Sequence, residues 1–141
     1  MVESKSCGLL IKQINDALER RANNNLRSVN LTMTQLGALL ALDRAPGGRM
    51  TMKSMERELH VAQSTTAGIM HRMDEKGFLT SFGDDKDRRV KWVQITEEGK
   101  RVCAIAQENM KQEEAVMLSG MTPEDKDLFL SLLQSIFCKL N

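Results

Sequence analysis

Two short runs of this 141-residue chain carry the side chains best suited to chemistry, and neither is built for breaking bonds. In the first, Gln63, Ser64 and Thr65, followed by Ala67 and Gly68, bring hydrogen-bonding and small side chains together. On the first turns of a helix, such groups can approach base edges in the major groove of duplex DNA. His71 and Arg72 follow a turn later, placed to reach phosphates. The second run, Asp87-Arg88-Arg89, sets two guanidinium groups beside a carboxylate in a polar turn. Arginines at a hairpin tip suit a narrow minor groove, where negative potential is focused. No Ser/His/acid triad, phosphate loop or paired-carboxylate pocket appears, and each acid is accounted for by a helix cap or an exposed face. The expectation is therefore a binding protein and not an enzyme. Three cysteines, Cys7, Cys103 and Cys138, lack metal-ligand spacing, and the histidines are only His60 and His71. We expect reduced thiols, no zinc or other metal site, and no cofactor.

The first run must sit on a helix held against a core, and the periodicity supplies one. Residues 6–27 read as an amphipathic helix, with Leu10, Ile14, Ala17 or Leu18, and Ala22 on one face. Thr32 through Gln35 form a capping box that starts a second helix, running through Leu36, Leu39 and Leu40 to about Arg44. Pro46-Gly47-Gly48 stops it. A short helix from about Met52 to Leu59 is joined by His60-Val61-Ala62 to a helix of about Gln63 to Lys76, and Gly77 ends that one. A short helix, a three-residue turn and a longer helix make a helix-turn-helix. The period then changes. Thr80-Ser81-Phe82 and Val90 through Ile95 flank a charged tip, which predicts a two-stranded hairpin, or wing. Thr96 restarts helix to about Leu118, and Thr122-Pro123 opens a last helix with Leu128, Leu132, Ile136 and Leu140 stepping by four.

Bulk composition adds limits. Hydrophobic residues make up 41% of the chain, enough for a real core. Ten methionines against four phenylalanines make that core soft, read here as adaptable packing, with a malleable ligand cavity as the other reading. The net charge is only +1, so attraction to a polyanion must come from a local patch. No apolar run reaches the roughly 18 residues of a membrane span, and the first six residues lack a signal-peptide core. A soluble, cytoplasmic protein is expected.

The landmarks, taken in order, resemble the MarR family across residues 8–140. They are Leu31-Thr32-x-x-Gln35, Val61-x-Gln63-Ser64-Thr65, Lys76-Gly77-Phe78-Leu79, Asp87-Arg88-Arg89 and Ile95-Thr96-Glu97-x-Gly99. The resemblance implies an α+β, mainly α fold within one domain of residues 1–141. Residues 31–100 would form a winged helix DNA-binding lobe, and residues 6–30 and 101–140 would dimerise. It also implies that Asp87 braces the wing arginines, that one or both enter DNA, and that a small aromatic ligand releases a repressor from its operator.

Three features depart from the simplest reading. Ala62 stands where Ser or Asp usually caps such a helix, forfeiting about 1 kcal/mol. Asp84 and Asp85 would repel phosphate unless they point away. Cys7 lies near where peroxide-sensing relatives carry a reactive cysteine, yet the chain has no tyrosine to support it. Redox sensing through Cys7, helped by Lys5 and the helix start, is one alternative. A winged-helix protein-interaction module without DNA binding is the other.

Overall fold

The computed structural model describes residues 6–141, so Lys5 lies outside it. Six α-helices and a three-stranded sheet follow the order α1 (Cys7–Arg27), α2 (Met33–Arg44), β1 (Arg49–Thr51), α3 (Met52–Leu59), α4 (Gln63–Glu75), β2 (Leu79–Gly83), β3 (Lys91–Ile95), α5 (Glu97–Met117) and α6 (Pro123–Leu140). The ends of the helices are set by identifiable side chains. Ser6 caps α1, accepting from the Leu9 amide. The Thr32–Gln35 box forms in both directions, at 3.1 and 3.2 Å. Thr51 caps α3 and Thr122 caps α6, each accepting from the amide three residues on. After α4, Gly77 takes φ 82°, a left-handed conformation that costs a side chain about 1–2 kcal/mol.

The wing is an antiparallel pair, Leu79 opposite Ile95 through Gly83 opposite Lys91. Strand β1 was not expected. Its three residues are too few to show alternation, and it exists because β3 offers Gln94, Val93 and Trp92 as partners for Arg49, Met50 and Thr51. The core joins Leu36, Leu39 and Leu42 of α2 to Met55, Ile69, Met70 and Met73 of the helix-turn-helix. Phe78, Leu79, Val93 and Ile95 close it from the sheet, with Val102 and Cys103 from α5. Three of the methionines thus pack as ordinary core. Burial, with the nearby Asp43 carboxylate, pushes the Cys103 thiol up and makes it a poor nucleophile.

The end of α4 is tied back to the chain before α2. Lys76 Nζ donates to the Asn30 carbonyl at 2.7 Å and to Gln35 Oε1 at 2.8 Å. Desolvation, then the positive charge of Arg72, lowers the Lys76 ammonium below its usual value. The start of α5 is tied to the same region. Thr96 donates its hydroxyl to the Gly77 carbonyl at 2.6 Å and accepts from the Gly99 amide at 3.0 Å. Its own amide donates to the Phe78 carbonyl. These links fix the wing strands relative to α4.

The chain falls into two compact units, residues up to 109 and residues 110–141, with the boundary inside α5. In the first, α1 exposes Leu9, Leu10, Ile11, Ile14 and Leu18. In the second, α6 buries no residue fully and exposes Leu128, Leu132, Ile136 and Leu140. Among the described residues no helix is long and apolar enough to cross a membrane.

Candidate nucleic-acid interface

The turn between α3 and α4 is sharp because His60 adopts φ 55°, and it presents the first turns of α4 outward. Gln63, Ser64, Thr65 and Ala67 are exposed, and Gly68 is half-buried. Thr66, between them, is buried and donates its hydroxyl to the Ala62 carbonyl at 3.1 Å. The helix therefore turns its small and hydrogen-bonding residues out while Thr66, Ile69, Met70 and Met73 face the core. Ala62 supplies no side-chain cap. The leading amides of α4 thus have no side-chain acceptor at the N-cap, an arrangement favourable to an anion.

At the wing tip, Asp87 accepts from Arg89 Nε at 3.1 Å, from Arg89 Nη2 at 3.3 Å and from the Arg89 amide at 3.0 Å. The Arg89 side chain first, then the Arg89 amide, holds the Asp87 carboxyl below the usual carboxylate range. The Arg89 side chain remains 90% exposed, so the pair orients it without burying it. Such an exposed pair adds little to stability, and its value is geometric. Arg88 is exposed and has no ion pair among the described residues.

An open groove of about 750 Å3 lies between the wing and the helix-turn-helix. Gln63 and Ala67 line it from α4, and Asp87, Arg89 and Lys91 from the wing. Thr51, Lys53, Glu56 and Arg57 line it from the start of α3. Four cations face two carboxylates there, a local positive patch on a nearly neutral chain. Lys53, Arg57 and Lys91 were missed in the sequence. The spacing of Lys53 and Arg57, four apart on the solvent face of a short helix, was the available signal.

Other expected residues fall elsewhere. Ser64, Thr65, Gly68 and Arg88 do not line the groove. His71 pairs with Glu75 along the helix at 2.6 Å. The Arg72 guanidinium folds back toward Gly68, 3.6 Å from where a Cβ would stand. Cys7 is exposed in the first turn of α1 and is not part of the groove. Asp84 does not face outward as a repelling charge. Its carboxylate turns into its own loop, accepting from the Lys86 and Asp87 amides at 3.0 Å each and from Trp92 Nε1 at 3.0 Å. Among the described residues no group of three or more His, Cys, Asp or Glu is arranged to hold a metal.

A recognition helix, a preceding helix and a cationic wing around one groove define a winged helix-turn-helix module. Residues 29–90 match the MarR family. The HTH-type transcriptional regulator YybA of Bacillus subtilis (strain 168) is 25% identical over 126 residues, covering 89% of this chain and 83% of that one. A mutant MepR of S. aureus shares the fold with a TM-score of 0.87 at 17% identity, over 97% of this chain and 100% of that one. BpsR of Bordetella bronchiseptica shares it with a TM-score of 0.70 at 20% identity, over 94% of this chain and 98% of that one. Over residues 29–90 the chain is thus similar to the MarR family, and over most of its length it is similar to HTH-type transcriptional regulators.

Proposed function

We propose that this regulator binds a pseudo-palindromic operator in double-stranded DNA as a cytoplasmic homodimer and represses by occluding the promoter. The observation that carries the reading is the groove, where Gln63 and Ala67 of α4 share a wall with Arg89 and Lys91 of the wing. That arrangement suits α4 in a major groove and the wing on the adjacent backbone and minor groove. Described as bound to an oligodeoxyribonucleotide, another mutant MepR has the same fold. The exposed apolar side chains of α1 and α6 support dimerisation through residues 6–30 and 101–140, because runs of exposed large apolar residues mark interfaces. A two-fold dimer places its half-sites about one helical turn apart. Release by a small aromatic ligand is supported by BpsR, whose DNA binding is regulated by 6-hydroxynicotinic acid.

Gln63→Ala or Thr65→Ala should change which sequence is preferred, at about 1–3 kcal/mol per lost base contact, while leaving non-specific binding nearly intact. Selection from a random duplex library, run on each variant, checks this. An unchanged preference would remove these residues from base reading. Footprinting on the DNA upstream of the coding region tests the symmetry, and a single asymmetric half-site would contradict the dimer.

A further inference from the structure

The wing arginines depend on a loop that has no core of its own, and one side chain organises it. Oδ2 of Asp84 accepts from the Lys86 and Asp87 amides, both at 3.0 Å, which closes a tight turn in the backbone. Oδ1 accepts from Trp92 Nε1 at 3.0 Å, which ties that turn to β3. The Arg49 guanidinium lies 5.0 Å from the centre of the Trp92 ring, bracing the indole from β1. The Asp84 amide also donates to the Val90 carbonyl across the base of the loop. The indole donor first, then the Lys86 amide, holds the Asp84 carboxyl below its usual range. Asp87, whose amide Asp84 fixes, in turn fixes Arg89.

We propose that Asp84 is a positioning residue for DNA binding, acting through Trp92 and the Asp87 amide to hold Arg89 toward the groove. The proposal rests on the DNA-binding reading above and assigns a role to a carboxylate that simple electrostatics would count as harmful. That contrast decides the sign of the test. If Asp84 acted only as a charge near phosphate, removing the charge would tighten binding. If it positions Arg89, Asp84→Asn must weaken binding, because an amide presents N–H groups to one set of its present donors.

The experiment measures anisotropy of a fluorescein-labelled, mixed-sequence duplex of about 30 base pairs across a salt series. The expected result is about tenfold weaker binding for Asp84→Asn and for Trp92→Phe, with a shallower salt slope and an unchanged melting curve. Asp85→Asn, which alters a neighbouring exposed charge, should bind as tightly as the wild type or tighter. Trp92 is the sole tryptophan, so its emission in the free Asp84→Asn protein should also shift. Trp92→Phe keeps the carboxylate and an aromatic ring while removing the indole donor, so it decides the matter if Asp84→Asn fails to fold. Asp84→Asn binding as tightly as Asp85→Asn would overturn the proposal while leaving the DNA-binding reading intact. Absence of binding by the wild type would overturn both.

Discussion

Gly99→Ala should unfold the compact unit of residues up to 109 or cost it at least about 3 kcal/mol, lowering the melting temperature by roughly 10 °C. A Cβ at position 99 would stand 2.1 Å from the Phe78 carbonyl oxygen and 2.8 Å from Ile95 Cγ1. The first of these is backbone, and it already accepts from the Thr96 amide, so it cannot swing aside as a side-chain tip would. Relief requires α5 to lift from the end of α4, which breaks the Thr96–Gly77 bond and loosens both wing strands. Gly77→Ala is the control. Nothing lies within 4 Å of its Cβ position, so only the left-handed backbone is penalised, at about 1–2 kcal/mol. Thermal unfolding of the two variants side by side checks the ranking, and equal losses would contradict the close approach.

Removing residues 123–141 should abolish dimerisation and most soluble expression. Along α6, Leu128, Leu132, Ile136 and Leu140 are exposed, and so are Leu130, Leu133 and Phe137, the last at 67%. A helix with no fully buried residue and seven exposed large apolar ones supports the proposed dimer. Covering each such side chain contributes roughly 1.5–3 kcal/mol, so the expected loss is of the whole assembly. Sedimentation of the shortened chain is the check. A folded, monodisperse monomer would show that α6 is dispensable.

Much of the fold could be read from local signals, because its helix ends are built locally. Thr32 with Gln35, Thr122 with Pro123, and Gly77 each act on neighbours within four residues, so residue type and spacing suffice. Strand β1 could not be read that way. Its pairing partners lie more than forty residues later, and three residues carry no period. The groove shows the same division. The exposed face of α4 and the Asp87–Arg89 pair follow from helical period and short separation. The convergence of Lys53 and Arg57 with Lys91 depends on how α3 and the wing pack, which no local pattern records. Whether Asp84 points away from phosphate was left open for a related reason. Its sign was visible in the sequence, but the direction of its carboxylate is set by Trp92, eight residues on.

The central claim is that α4 and the wing tip together form a DNA-binding surface, and the salt dependence of duplex binding by Arg88→Ala/Arg89→Ala tests it most directly. Each phosphate contact adds about 0.9 to the slope of log K against log salt. The double variant should bind every duplex more weakly, with a slope shallower by about one to two units and an unchanged melting curve. Of the single variants, Arg89→Ala should lose more, because Asp87 already orders that side chain and less freedom is lost on binding. Wild-type affinity and an identical salt slope for the double variant would contradict the claim.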